Sequence, residues 1–389
     1  MPLPRATVVA AAPAVGSLGP ALGGLLALAV GIGVGRFVYT PILPPMMAGL
    51  GLSKFAAGLI ASANFAGYLV GALFTAGTWL PGSRRGWLFA GLAGSAATTG
   101  AMGLVHGLAM FLFLRFAGGV ASALVLILVS AIVLERLAAA GRTDLSAVLF
   151  AGVGVGIAAS AILVSVFRAA GQDWQALWLG SGALSALGAI AAAALIPAEA
   201  PPHRAPARAT AAPADRGLLR LVLAYGLFGF GYVITATFLV AIVRANLAIR
   251  PLEPVVWVVF GLAAAPSVAL WTRLARRVGI SGAFAVAAVG EAVGVLASVA
   301  WPSTAGVFLA SVLVGGTFMG LTALGLVRGR ALARGDARRV LALMTSAFGL
   351  GQILGPSFAG ALSDRLGSFT LPSIVAAAAL VAAAALTAR

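Results

Sequence analysis

Gly33–Leu43 reads GVGRFVYTPIL, and 196 residues later Gly229–Leu239 reads GFGYVITATFL, so that both glycines and the closing leucine coincide. At an offset of 197, Gly118 and Gly119 fall on Gly315 and Gly316, and Gly152 and Gly154 fall on Gly349 and Gly351. A nearly constant offset across half a chain marks an internal duplication. If the duplicated segments cross a membrane in the same orientation, the pattern predicts two halves related by an axis along the membrane normal, moving about a site between them.

The composition supplies that condition. Of 389 residues, 61% are hydrophobic and only 9% charged, with a mean hydropathy of +1.09. A water-soluble chain of this length needs far more charge to cover its surface, and a disordered one needs far less apolar side chain. A bilayer core of about 30 Å takes about 20 apolar residues per helix. Cutting the sequence at charges, prolines and turn residues on that basis predicts twelve spans: 18–47, 54–80, 86–107, 109–134, 145–169, 174–197, 218–243, 253–275, 279–300, 304–327, 339–362 and 368–387. One break is long. Ala198–Gly217, AEAPPHRAPARATAAPADRG, is too rich in proline to pack and reads as a cytoplasmic linker. The expected organisation is therefore an all-α polytopic membrane protein with a six-helix bundle over 1–197, a linker over 198–217 and a second six-helix bundle over 218–389. The first seventeen residues lack the apolar run of a signal peptide, so the N-terminus is expected to be retained.

The formal charge of +16 does not indicate nucleic acid, because 24 of the 25 basic residues are arginines scattered in short clusters between spans. Eighteen fall in loops on one side and five on the other, which by the positive-inside rule places both termini in the cytoplasm of a bacterial-type inner membrane. With no cysteine and only His106 and His203, the chain offers no thiolate metal site and no disulfide framework. No nucleophile elbow, Walker motif or acid pair is present, so neither an enzyme nor an ATP-driven pump is expected, and no cofactor or metal is implied.

The segments GIGVGRFVYTPILPPM (Gly31–Met46), AGLIASANFAGYLVGAL (Ala57–Leu73), GLFGFGYVITATFL (Gly226–Leu239) and FGLAAAPSVALWTRLARRVG (Phe260–Gly279) resemble the YbfB/YjiJ branch of the major facilitator superfamily. The resemblance covers span one to span eleven and implies twelve helices and secondary transport. One motif departs from that superfamily. Its loop between spans two and three usually resembles G-x-x-x-D-R-x-G-R-R, whereas Gly77–Arg85 reads GTWLPGSRR, with Pro81 where the aspartate would stand; Arg84 and Arg85 keep the positive anchor. A fragment of the same type, GALSDRLG (Gly360–Gly367), ends span eleven at the opposite face.

Charges within spans are costly and therefore functional candidates. Arg36 follows Gly31, Gly33 and Gly35 and precedes Pro41, Pro44 and Pro45, where a helix breaks readily; freed backbone N–H groups beside a guanidinium suit an anion, and the competing reading is a snorkelling side chain. Arg115 opens RFAGG in span four, resembles the R-x-x-x-G start of the superfamily's fourth helix, where the position is associated with coupling or substrate contact, and shares a face with Ser122 and Ser130; the alternative is a structural arginine bonding helix ends. Glu291 lies alone in span nine, a candidate proton carrier or a partner for a neighbouring arginine. Asn64, Tyr68, Gly71 and Thr75 form one polar stripe, and Thr345, Gly349, Gln352 and Pro356 another; such stripes line cavities or bind helices together. Tyr225, Gly229 and Tyr232 make a third, Trp257 and Trp271 read as interface anchors, and Gly229, Gly231 and Pro356 join the span-one glycines and Pro41 as expected helix breaks or gates. Tyr39 joins Arg36, Asn64, Tyr68, Arg115, Tyr232 and Gln352 as a candidate substrate contact.

The expected function is secondary transport of a small organic anion by alternating access, with protons as possible coupling ions and a monomer as the working unit. Efflux of lipophilic cationic or neutral compounds ranks second, since no acid stands at mid-depth in the central spans to meet a cation. A sensor or scaffold that transports nothing ranks third.

Overall fold

The computed structural model describes residues 17–76, 81–196, 216–333 and 337–388. Most of the proline-rich linker, the first sixteen residues and residues 77–80 of the loop between spans two and three thus lie outside the described residues, although Arg216 and Gly217, read as linker, already belong to a helix. Among the described residues twelve helical spans are present: α1 (Leu18–Leu50), α2 (Lys54–Ala76), α3 (Arg84–Ala101), α4 (Leu108–Ala139), α5 (Ser146–Ala169), α6 (Trp174–Leu195), α7 (Arg216–Ala245), α8 (Glu253–Ala264 and then 267–278), α9 (280–300), α10 (Thr304–Ala331), α11 (Ala337–Leu366) and α12 (Thr370–Thr387). They form two six-helix bundles. Ten helices are long and apolar enough to cross a membrane on length and composition. The count differs from twelve for two physical reasons: α3 is diluted by its arginines, serines and threonines, and α8 is broken, its second part running on into α9 as one helical stretch, Ser267–Ala300.

Two of these helices are interrupted. In α1 an α-helical start (Leu18–Leu28) widens into a π-helix (Ala29–Val34), passes through a turn at 35–38 and restarts as Tyr39–Leu50. Prolines at 41, 44 and 45 lack the N–H groups that would close the regular ladder, so Thr40 N–H bonds Phe37 O at 3.3 Å instead of Arg36 O. Span eight, expected to be continuous, breaks after Ala264 because Pro266 cannot donate to the preceding turn. The corner between α8 and α9 is Gly279, whose φ of 78° favours glycine.

The expected breaks in α7 and α11 are absent. α7 runs unbroken through Gly229 and Gly231, which serve instead as contact points: a side chain there would collide with Phe348 O and Ala376 O. α11 continues through Pro356, which costs only the donor that Gln352 O would otherwise receive.

The halves meet along two seams of bare backbone. Gly154 on α5 and Gly261 on α8 face each other, and a Cβ on either would meet the other's carbonyl oxygen at 2.5 to 2.8 Å. On the other seam Gly58 of α2 lies against Pro356 O of α11, and Gly360 of α11 against Lys54 O. Ser62 Oγ donates to Ile353 O at 2.6 Å and lies 2.8 Å from Ser357 Oγ. At the end of this seam Asp364 accepts from Lys54 N–H at 3.0 Å and Phe55 N–H at 2.8 Å, while Lys54 Nζ donates to Ser363 O at 3.1 Å. A carboxylate thus caps the first turn of α2 from across the molecule, where the helix dipole is positive. Residues 29–46 of α1 are all buried, as are nearly all from Phe228 to Val243 of α7, so this end of the molecule is closed.

Candidate functional site

The break in α1 sets the site. Because the turn at 35–38 withdraws backbone donors, the carbonyls of Gly35 and Arg36 need partners, and Arg115 of α4 provides them: Nη1 to Gly35 O at 2.9 Å and Nη2 to Arg36 O at 3.1 Å. Ser122, two turns along α4, donates to Gly31 O at 2.5 Å. An arginine and a serine thus cover three carbonyls of the break. Asn64 Nδ2 donates to Arg115 O at 2.9 Å and binds α2 to α4. Tyr39 stands at the same junction, its hydroxyl donating to Ala57 O at 2.8 Å and its ring 5.1 Å from the Arg115 guanidinium, with Trp178 beyond at 6.0 Å.

Arg36 is placed otherwise. Its side chain is buried, and its guanidinium lies over the rings of Tyr68 at 4.2 Å and Phe65 at 4.8 Å. Those contacts favour a cation but satisfy no N–H. Nε and Nη2 are fully buried without a hydrogen-bond partner. Snorkelling toward water is therefore not what this arginine does.

Across the molecule stands an aromatic wall. Tyr232 of α7 is nearly parallel to Phe318 of α10 (5.7 Å, 9°) and to Phe348 of α11 (5.8 Å, 4°), and Gln352 Nε2 donates to its hydroxyl. Phe37 joins by an edge contact to Phe318 at 5.6 Å, and Trp257 lies 4.2 Å from Phe260 and 6.4 Å from Phe37. Trp257 is thus a core residue and not the expected interface anchor; Trp271 likewise turns inward, donating to Gly316 O at 2.7 Å. Tyr225 extends the wall, stacked on Phe348 at 4.9 Å. Phe37, Phe65, Phe228, Phe318 and Phe348 do not stand out in the sequence, since nothing in the spacing of one span reveals that five helices bring their rings to this region.

The structure brings Arg36, Tyr68, Tyr232 and Gln352 into one region, with Tyr68 and Tyr232 both within electrostatic reach of the guanidinium. It uses Asn64, Tyr39 and Arg115 to hold helices. Gly71 and Thr75 belong to the α2–α4 contact, Gly71 against Val120 and Thr75 bonded to Gly71 O at 2.6 Å, and Gly349 packs on Leu69. Gly31, Gly33 and Gly35 each admit a different neighbour, Val125, Gly156 and Ser95. Glu291 lies apart on α9, fully buried; neither carboxyl oxygen has a hydrogen-bond partner, and the hydroxyl beside it, Thr317, donates to Leu313 O at 2.7 Å. Among the described residues no cluster of His, Asp and Glu could hold a metal ion.

A broken first helix, twelve spans in two bundles and a buried cation at their centre are the features of a carrier. The model of the family described as uncharacterised MFS-type transporter YbfB matches residues 28–388, and the chain belongs to that family of the major facilitator superfamily. It is a multi-pass membrane protein and a secondary transporter of small molecules, not an enzyme. Among solved structures, an aspartate-to-alanine mutant of the nucleoside transporter NupG is similar with a TM-score of 0.73 at 17% identity, over 95% of this chain and 99% of that one. Another structure of NupG gives 0.70 at 17% identity, over 96% and 98%. No curated protein matches.

Proposed function

We propose that the chain moves a small organic anion by alternating access, with Arg36 as the group that binds it. One observation carries this reading: Arg36 is buried with two N–H nitrogens unfilled and no acid beside it. A desolvated guanidinium with empty donors is unfavourable alone and is relieved by an anion. Arg115, its Nη donors already engaged by α1, is the positioning residue that fixes the break from which Arg36 projects.

The rocking units are residues 1–197 and 218–389, joined by 198–217, and the chain works as a monomer in an inner membrane with both termini cytoplasmic. In that orientation the closed end bearing Lys54 and Asp364 faces outward, so the conformation is closed to the outside. Coupling to protons falls to Glu291, the one carboxyl buried within a span among the described residues, which lies within electrostatic reach of Tyr232. A nucleoside, the cargo named for the structural neighbours, is neutral and leaves the charge of Arg36 unused.

The test is flux in proteoliposomes under an imposed pH gradient. Anion uptake should be saturable and should fall at least a hundredfold in Arg36→Gln, while Glu291→Gln removes the dependence on the gradient. Uptake of an anion that is indifferent to Arg36→Gln would overturn the reading, as would transport confined to uridine or lipophilic cations.

A further inference from the structure

Arg36 exposes a particular edge. In a guanidinium, Nε and Nη2 lie on the same side and point their N–H groups in one direction, the side-on fork that matches the two oxygens of a carboxylate. These are the two nitrogens left without partners, while the group lies over the rings of Tyr68 and Phe65. A ligand that takes both hydrogen bonds approaches in the guanidinium plane, because the N–H bonds lie in it. A planar carboxylate is satisfied by that fork, whereas a tetrahedral phosphate needs further donors for its remaining oxygens, and at Arg115 both Nη groups are engaged by α1, with Nε alone left without a partner. Tyr232, within electrostatic reach of the guanidinium, occupies in α7 the position that Arg36 holds in α1, and its ring runs parallel to those of Phe318 and Phe348. Gln352 adds one more feature: its Nε2 is used by Tyr232, but Oε1 is buried with no donor.

Resting on the anion reading above, we infer that the transported anion is a monocarboxylate with a flat aromatic or conjugated body, its carboxylate on Nε and Nη2 of Arg36, its ring against the Tyr232, Phe318 and Phe348 wall, and a hydroxyl or amino substituent donating to Gln352 Oε1. The flatness follows from both contacts at once. A carboxylate coplanar with its own ring continues the plane of the fork, and planar faces stack on aromatic walls that puckered rings meet less closely.

Calorimetric titration of the full chain in detergent with benzoate, para-hydroxybenzoate, cyclohexanecarboxylate, succinate, inorganic phosphate and uridine tests this. Benzoate should bind about tenfold more tightly than cyclohexanecarboxylate, an advantage the size of one good aromatic contact. Arg36→Lys, which keeps the charge and loses the fork, should weaken benzoate by about tenfold or more without lowering the melting temperature. Gln352→Leu should abolish any preference for para-hydroxybenzoate over benzoate. Tighter, Arg36-dependent binding of cyclohexanecarboxylate, succinate or phosphate would overturn the aromatic class and leave the anion reading standing. Binding of uridine alone, indifferent to Arg36→Lys, would overturn both, and failure of both benzoates to bind would overturn the class.

Discussion

At the repeat offset of 196, Arg36 of α1 falls on Tyr232 of α7, and Thr40 falls on Ala236, whose carbonyl it binds at 2.7 Å. The two helices thus touch at equivalent positions and share a glycine frame, yet α1 is broken and α7 is not. Glycine is not the cause, because Gly33 and Gly35 have direct counterparts in Gly229 and Gly231. The difference lies in proline: where α1 has Pro41, Pro44 and Pro45, α7 has Thr237, Val240 and Ala241, each able to donate to the preceding turn. One half therefore supplies an irregular, charged helix and the other a regular, aromatic one. The asymmetry gives a two-fold scaffold a site with a cationic side and a stacking side.

The sharpest way to break this comparison is at Arg115. Its replacement by Leu leaves the carbonyls of Gly35 and Arg36 buried without donors, and at about 1–3 kcal/mol for each orphaned group the loss should be about 2–6 kcal/mol. Arg36→Gln removes no hydrogen bond and should leave the melting temperature unchanged or raised, while abolishing anion flux. Thermal melts of the two variants in detergent check the pair. Equal stability would show that the broken helix does not depend on Arg115, and the division of labour between the two arginines would fail.

A middle-sized effect separates glycine from proline. A Cβ at Gly33 would come within 2.6 Å of Gly156 Cα, and one at Gly229 within 2.5 Å of Phe348 O. Gly33→Ala and Gly229→Ala should each cost about 1–3 kcal/mol, since both overpack a backbone contact. Similar costs in the broken and the unbroken helix are the expected result of the same melts. A large cost at Gly33 with none at Gly229 would return the break to the glycines.

The sequence makes some of this architecture readable and hides the rest for identifiable reasons. Spans and the break in α1 are legible because hydropathy and proline are local properties of the chain. The break in α8 is not, since a single Pro266 leaves the apolar run on either side intact. Arg36 stands out because a charge in a span is conspicuous. What Arg115 does there depends on carbonyls that become available only once α1 has folded irregularly, so its spacing in span four identifies a face but not a partner. Trp257 is misread for a similar reason: its place near a span end suggests the interface, and only the approach of Phe37 and Phe260 shows that it points inward. The aromatic wall draws on α1, α7, α10 and α11, and no window of sequence contains it.

The smallest effect concerns the two faces of the bundle. At the arginine-rich end, Arg84 pairs with Glu135 at 2.9 Å and Arg85 donates to Ile196 O at 3.1 Å, contacts made inside the first half. At the other end Asp364 reaches across the halves to the start of α2, which is where the missing aspartate of the loop between α2 and α3 finds a counterpart of inverted position. Breaking contacts within a half should not bias opening, whereas breaking the cross-half cap should. Asp364→Asn keeps the shape but removes the charge facing the α2 dipole, worth about 0.3–1 kcal/mol, and so should raise the population open at that end about two- to fivefold. Because the chain has no cysteine, Ser357→Cys on the α2–α11 seam gives a single labelling site whose modification by an impermeant maleimide reports the opening. Labelling should quicken by that factor in Asp364→Asn and stay unchanged in Glu135→Gln. Quickening in both, or in neither, would mean that the aspartate caps α2 without holding the halves together.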